Sequence, residues 1–228
     1  MRLGVLDIQQ PRWAIELAPD VERLGYSRYW LGEHHGTDQS GSPEVLTGII
    51  AAITRSIQVG PAGVLLRYYS PFKVARSHRL LAEIFSPRID LGVARGLGGD
   101  AAVAEALLDG RSTSTEIYDA KVRELAQLLQ GSPPDGHPSA SAPCAEPAVS
   151  AHAFWVLGTT RHAALLAASV GAAFAFSDYL ARMSNPDVDG PAIVRAYRDA
   201  FEASPALSAP RWNVAIAGAR SPTARTAL

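Results

Sequence analysis

Short apolar runs alternate with helix-patterned segments along almost the whole chain. Strand-like stretches occupy Arg2–Ile8, Arg28–Gly32, Ser56–Leu66, Arg88–Ala94, Phe154–Gly158, Ala172–Ser177 and Trp212–Gly218. Between them, helical spacing runs through Trp13–Leu24, Pro43–Thr54, Pro71–Phe85, Ser114–Gln130, Arg161–Val170 and Pro191–Ala203. Gly25 stops the first helix, and Ser42 followed by Pro43 is a cap-and-first-turn signal for the second. Apolar strands separated by helices pack as a parallel sheet covered by those helices. Brief repeating units favour a barrel over an open doubly wound sheet. A full eight-unit barrel takes about 250 residues, and this chain has 228 residues with seven apolar runs. The expected fold is therefore α/β, of the (β/α)8 TIM-barrel type, incomplete with about seven strands and forming a single domain over 1–228. Such a barrel leaves a gap between its first and last strands, whose edges a dimer partner, the tail or another chain would cover.

Two segments interrupt the alternation. Gly131–His152 holds five prolines among small residues and reads as a long excursion, either a lid or a connector. Residues 219–228 form a polar tail.

The bulk numbers exclude several classes. The net charge of −1 leaves no nucleic-acid footprint. The single cysteine, Cys144, lies in the proline-rich excursion and allows neither an internal disulfide nor a cysteine cluster for zinc. No run is long enough for a membrane span, and the N-terminus lacks the apolar core of a signal peptide. A soluble, cytoplasmic protein is expected. Of the 21 basic residues only Lys73 and Lys121 are lysines, so no arginine stands out by rarity.

Four motifs carry candidate chemistry. The first is Glu33-His34-His35 at the end of the second strand. Adjacent strand side chains point to opposite faces, so His34 shares a face with Trp30 and Gly32, and His35 with Glu33. That geometry disfavours chelation of one metal by both histidines. It leaves two readings: a pair of satisfied histidines, or a proton-transferring imidazole on the rim where barrel enzymes place their chemistry.

The second motif is Asp90–Ala101, a strand that ends in small residues, Arg95 and a glycine-rich turn. It formally fits a dinucleotide-binding turn. It also fits a strand whose small Gly92 and Ala94 make room for a flat ring, with Arg95 as an anion clamp, or a surface arginine beside loop glycines. The third is Gly158-Thr159-Thr160 before a helix. Backbone N–H groups and hydroxyls there form an anion site, which Arg161 could assist, or simply cap the helix. The fourth is Pro61-Ala62-Gly63 inside a strand, either a bulge beside a planar ligand or plain irregularity.

In this order, "YWLGEHH", the block from "SPEVLTGII" to "VGPAGVLL", "RIDLGVARG" and "FWVLGTTRHAALL" resemble the luciferase-like flavin monooxygenases, the family that includes the bacterial luciferase subunits. The resemblance covers most of the chain from Met1 to about Gly218. It implies a barrel that binds FMN, or in some branches coenzyme F420, at the C-terminal mouth. His34 would be the active-site histidine, supported by His35 and Glu33. Ala62–Gly63 would form a non-proline cis peptide under the flavin ring, and Ala94 would face that ring. Arg95 and Gly96, with Gly158, Thr159 and Thr160, would seat the phosphate. The implied activity is oxygenation of a small, hydrophobic organic substrate by reduced FMN and O2, with a separate flavin reductase supplying the FMN and a homodimer as the assembly. Two alternatives follow from the same resemblance: a shortened, non-catalytic flavin-binding protein, and an F420-dependent hydride-transfer enzyme. Tyr68, Tyr69, Phe72, Phe176 and Tyr179 are aromatic candidates for the mouth, or equally for core packing.

Overall fold

The computed structural model describes residues 2–8, 10–36, 39–85, 87–141 and 154–217. Cys144, the second half of the proline-rich excursion (142–152) and the tail lie outside the described residues. In chain order the elements are β1 (Gly4–Asp7), α1 (Pro11–Arg23), β2 (Arg28–Leu31), α2 (Pro43–Ile53), β3 (Gln58–Pro61), β4 (Val64–Leu65), α3 (Pro71–Phe85), β5 (Leu91–Ala94), α4 (Ala101–Leu108), α5 (Thr115–Leu129), β6 (Phe154–Gly158), α6 (Arg161–Ser169), β7 (Ala173–Ser177), α7 (Asp178–Ser184), α8 (Gly190–Asp199) and β8 (Trp212–Ala215). A 3-10 turn, Leu66–Tyr68, links β4 to α3.

All the paired strands are parallel, in two groups ordered β1-β2-β3 and β4-β5-β6-β7-β8. This is an open, incomplete barrel, and among the described residues β1 and β8 do not pair with each other. The strand count differs from seven because the third apolar run divides at Ala62–Gly63. Its first half follows β2, with Leu31 opposite Pro61, and its second half follows β5, with Leu65 opposite Ala94. The division has a steric reason. A Cβ on Gly63 would lie 2.8 Å from the Val93 carbonyl carbon, so only glycine lets the chain cross to β5 here. A single parallel bridge, Val59 to Ile89, joins the two groups lower down.

Side-chain alternation on the strands builds two cores. Phe174 and Phe176 point outward from β7 into a layer with Val156, Ala164, Ala167 and Tyr197. Ala173 and Ala175, on the other face of the same strand, pack inside the barrel with Trp30, Ala62 and Trp155. Small residues on the inner face leave open space above this layer, while the phenylalanines anchor the strand to its helices.

The apolar residues spaced along α1 and its end, Trp13, Leu17, Val21 and Leu24, divide between solvent and core. Trp13 is 57% exposed and Leu17 and Leu24 also face solvent, whereas Ala14, Ala18 and Val21 pack inward against Tyr29 and Ile50. Alanines allow the helix axis to approach the strands closely, which leaves the bulky side chains outside. On α2 the residues Val45, Ile49 and Ile53, four apart, form a second exposed apolar stripe, and Leu80 and Ile84 extend it onto α3.

Candidate functional site

The strand ends surround a cavity of about 600 Å³, within the roughly 300–1,000 Å³ range of small-molecule sites. Glu33, His34, Ala62, Gly63, Ala94, Arg95, Gly96, Gly158, Thr159 and Thr160 all line it. His35 does not, and neither does Arg161, which is exposed. Of the aromatic candidates for the mouth only Tyr179 lines the cavity, and Phe176 is buried behind it.

The turn after β2 separates the three residues of the first motif. Gly32 N–H still bonds to the Asp7 carbonyl at 2.8 Å; beyond it, His34 N–H reaches Ser40 O at 3.1 Å and His35 N–H reaches Gly98 O at 2.6 Å. Glu33 is 3% exposed. Its carboxylate accepts from the Leu65 backbone N–H at 2.8 Å and the Tyr69 hydroxyl at 2.6 Å, and His35 Nε2 lies 2.7 Å from its Oε1. Burial holds the Glu33 pKa above its usual value, and these three partners offset only part of that rise. Burial and the adjacent carboxylate push the Tyr69 phenol well above its usual range. The carboxylate is thus committed to tying the end of β2 to β4 and the turn beyond it. Glu33 and His35, expected as supports of His34 in the catalytic group, bond to each other and to the elements around the turn.

His34 differs from both. Its Nδ1 is buried and has no hydrogen-bond partner. Burial, then the charge of His35, holds its pKa below the usual histidine value. The ring is therefore neutral at physiological pH, and the residue lines the cavity.

One end of the cavity is built by β5, β6 and the helices that follow. Arg95 projects from β5, with Nη1 donating to Thr115 Oγ1 at 2.5 Å. Arg67 donates through Nη1 to the Arg95 carbonyl at 3.3 Å, while its buried Nε has no partner. Thr160 Oγ1 accepts from Ala163 N–H at 3.3 Å and caps α6, so its hydroxyl serves the helix as well as lining the cavity. A Cβ on Gly158 would sit 2.3 Å from that of Ala163, which makes glycine obligatory where β6 enters α6. His162, not Arg161, turns into the cavity, with Nε2 2.8 Å from Asp119 Oδ2. Arg67, Tyr118, Asp119 and His162 join this end although no sequence motif marked them. The one available signal was helical phase: with Thr160 capping, the second residue of α6 lies toward the strand ends and the first away from them.

The turn that carries Arg67 is held from α5. Lys121 Nζ donates to the carbonyls of Arg67 and Tyr69, each at 2.9 Å, and to that of Leu66 at 3.3 Å. Three converging carbonyls suit a compact ammonium better than a planar guanidinium, which accounts for a lysine in a chain otherwise rich in arginine.

The Ala62–Gly63 peptide, expected to be cis by resemblance, is cis in the structure. Residues 3–185 match the family model described as Luciferase-like monooxygenase. The chain belongs to the luciferase-like monooxygenase family.

Among members of this family, the uncharacterized protein YceB of Bacillus subtilis (strain 168) is 39% identical over 199 residues, covering 86% of this chain and 59% of its own. The solved structure of apo-MsnO8 superposes with a TM-score of 0.76 at 32% identity, over 93% of this chain and 65% of that one. The oxygenating constituent of 3,6-diketocamphane monooxygenase from Pseudomonas putida, a type II Baeyer-Villiger monooxygenase solved in complex with FMN, shares the fold. It has a TM-score of 0.61 and 18% identity, over 90% of this chain and 64% of that one. The chain spans 59% and 60% of the length of the first curated relatives it matches.

The residues present fit a flavin or deazaflavin cofactor with an anionic tail. Two guanidinium groups and a threonine-capped helix start supply an anion seat. A crossing of backbones too close for any side chain lies at Gly63. His34, whose buried Nδ1 has no hydrogen-bond partner, lines the same cavity.

Proposed function

We propose that this chain is a flavin-dependent oxygenase that uses reduced FMN and O2 to oxygenate a small, largely apolar organic molecule. Bound reduced FMN supplies two electrons to dioxygen, so that one oxygen atom enters the substrate and the other leaves as water. The chain's own residues bind, orient and protect. Arg95, Arg67 and the Thr159–Thr160 start of α6 hold the phosphate. Ala62, Gly63 and Ala94 present the small surface on which a flat ring can rest. His34 holds or moves a proton at Nδ1. Glu33, Tyr69 and His35 lock the loop that carries His34, and Lys121 locks the turn that carries Arg67. Apolar walls exclude water, which limits release of peroxide.

The observation that carries this reading is the partnerless Nδ1 of His34 in one cavity with the Arg67–Arg95 pair. A diffusible substrate and a separate reductase fit a cavity that opens at the strand ends. The stripe of Val45, Ile49 and Ile53, continued by Leu80 and Ile84, supports a homodimer through α2 and α3.

The test is a spectroscopic titration with FMN, reduced FMN and F420, followed by O2 consumption with and without candidate substrates. Binding of reduced FMN and substrate-dependent O2 uptake supports the oxygenase. FMN binding with no uptake for any substrate, unaffected by His34→Ala, identifies a flavin-binding protein instead. Preference for F420 with indifference to O2 identifies a hydride-transfer enzyme.

A further inference from the structure

The chain carries sulfur at only three positions, Met1, Cys144 and Met183. Met1 and Cys144 lie outside the described residues. Met183 sits on α7 and lines the cavity shared with His34 and Arg95. It is also 79% exposed. A side chain that borders the cavity and is still mostly in solvent stands where the two meet.

The phase of α7 puts the thioether there. Tyr179, Leu180, Met183 and Ser184 all line the cavity, as residues three and four apart on one helix face should. Ala181, on another side, is buried in the core with Phe174, Phe176 and Tyr197. Asp178 and Arg182 bond to each other, with Arg182 Nε donating to Asp178 Oδ2 at 2.8 Å and Nη1 to the Pro186 carbonyl at 3.2 Å. The helix is thus held through its other sides, and Met183 is left toward the cavity.

Methionine is unbranched, with a polarizable sulfur on a flexible chain, so the sulfur can swing over the space before it. That sulfur takes up one oxygen atom to give the sulfoxide, a change that methionine sulfoxide reductases reverse. No other residue in the lining carries sulfur.

We propose that Met183 is a self-modification site: when substrate is absent, its sulfur receives the oxygen atom that the cavity would otherwise deliver to substrate. The proposal rests on the flavin oxygenase reading. The thioether, O2 and reduced FMN give the sulfoxide, water and oxidised FMN. The O–O bond breaks and an S–O bond forms. The second oxygen leaves as water with the two hydrogens and two electrons of reduced FMN. The sulfoxide replaces an apolar group beside Leu180 with a polar one, so that turnover without substrate leaves a reversible mark on the cavity's edge.

The experiment compares Met183 with a second thioether of similar exposure outside the cavity. Leu24, just past α1, is 71% exposed and does not line the cavity, so Leu24→Met supplies it. This protein is mixed with stoichiometric reduced FMN and O2, without substrate and with catalase present to destroy free peroxide. Peptide mass spectrometry then maps the sulfoxide. Met183 should carry at least about tenfold more sulfoxide than position 24, a modest gain for a group held beside the source of oxygen. Hydrogen peroxide added to the apo protein without catalase should oxidise the two positions alike. Equal sulfoxide at both positions during turnover overturns the proposal. The same preference for Met183 in the peroxide-treated apo protein also overturns it, because the side chain's own reactivity would then explain the result. Reduced FMN bound and O2 consumed, with Met183 unmodified, overturns the proposal and leaves the oxygenase reading standing. No binding of reduced FMN, or binding without O2 uptake, overturns both.

Discussion

The carboxylate of Glu33 meets the imidazole of His35 at 2.7 Å, two residues along the chain and just past the end of β2. The same carboxylate takes the Tyr69 hydroxyl and the Leu65 N–H. Glu33→Ala strands three donors in a buried space. Unfolding in urea at pH 7 is expected to show a loss on the order of 1–3 kcal/mol. A loss within the error of the measurement would mean that the carboxylate does not tie β2 to β4.

His34→Ala is expected to lower substrate-dependent flavin oxidation by about 10²- to 10⁴-fold, the usual contribution of a proton-transferring group. FMN affinity should change far less, since the phosphate end of the cavity is untouched. Because burial lowers the His34 pKa, the acid limb of the rate profile belongs below the ordinary histidine value of 6.5. His34→Gln should abolish that limb. A limb that persists in the variant assigns the proton step elsewhere.

Arg95→Met removes a cation from the phosphate end while keeping the length of the side chain. FMN affinity is expected to fall about tenfold to a hundredfold, as for loss of a charge-assisted hydrogen bond. Riboflavin, which lacks the phosphate, should bind the variant and the unmodified protein alike. Equal losses for both ligands would show that Arg95 acts on the ring or on folding.

His78 on α3 is buried, and burial pulls its pKa from 6.5 to about 4. The unfolded chain therefore binds this proton more readily than the folded protein between those two values. Stability from this group is complete above about pH 6.5 and is lost as the pH falls toward 4, by on the order of 3 kcal/mol. Urea midpoints at pH 7, 5.5 and 4 measure the slope. His78→Leu should flatten it over that window, and an identical slope in the variant would assign the acid sensitivity to other groups.

Ile49→Glu places a charge at the centre of the exposed stripe on α2. Sedimentation should show a dimer for the unmodified protein and a monomer for the variant, with FMN binding preserved in each monomer. A monomer at all concentrations of the unmodified protein would leave that stripe without its assigned partner.

The sequence by itself determined the βα alternation, the incomplete barrel and the positions of several cavity residues. These follow from local periodicity and from the rule that parallel strands end on one face, so that His34, Ala62, Gly63, Ala94, Arg95 and Thr159 converge without any knowledge of contacts. The tertiary structure alone decided which groups were occupied and which were free. Strand alternation sets His34 apart from Glu33 and His35 in the sequence, but only neighbouring elements supply Tyr69 and Leu65 to Glu33 and leave the Nδ1 of His34 without a partner. Trp13, Leu17 and Leu24 mark a helix by spacing, yet close packing through Ala14 and Ala18 turned them outward. Arg67, Lys121 and His162 entered the site through contacts across tens of residues. Periodicity reports the face a residue occupies; partnership depends on the distance between elements, which only packing sets.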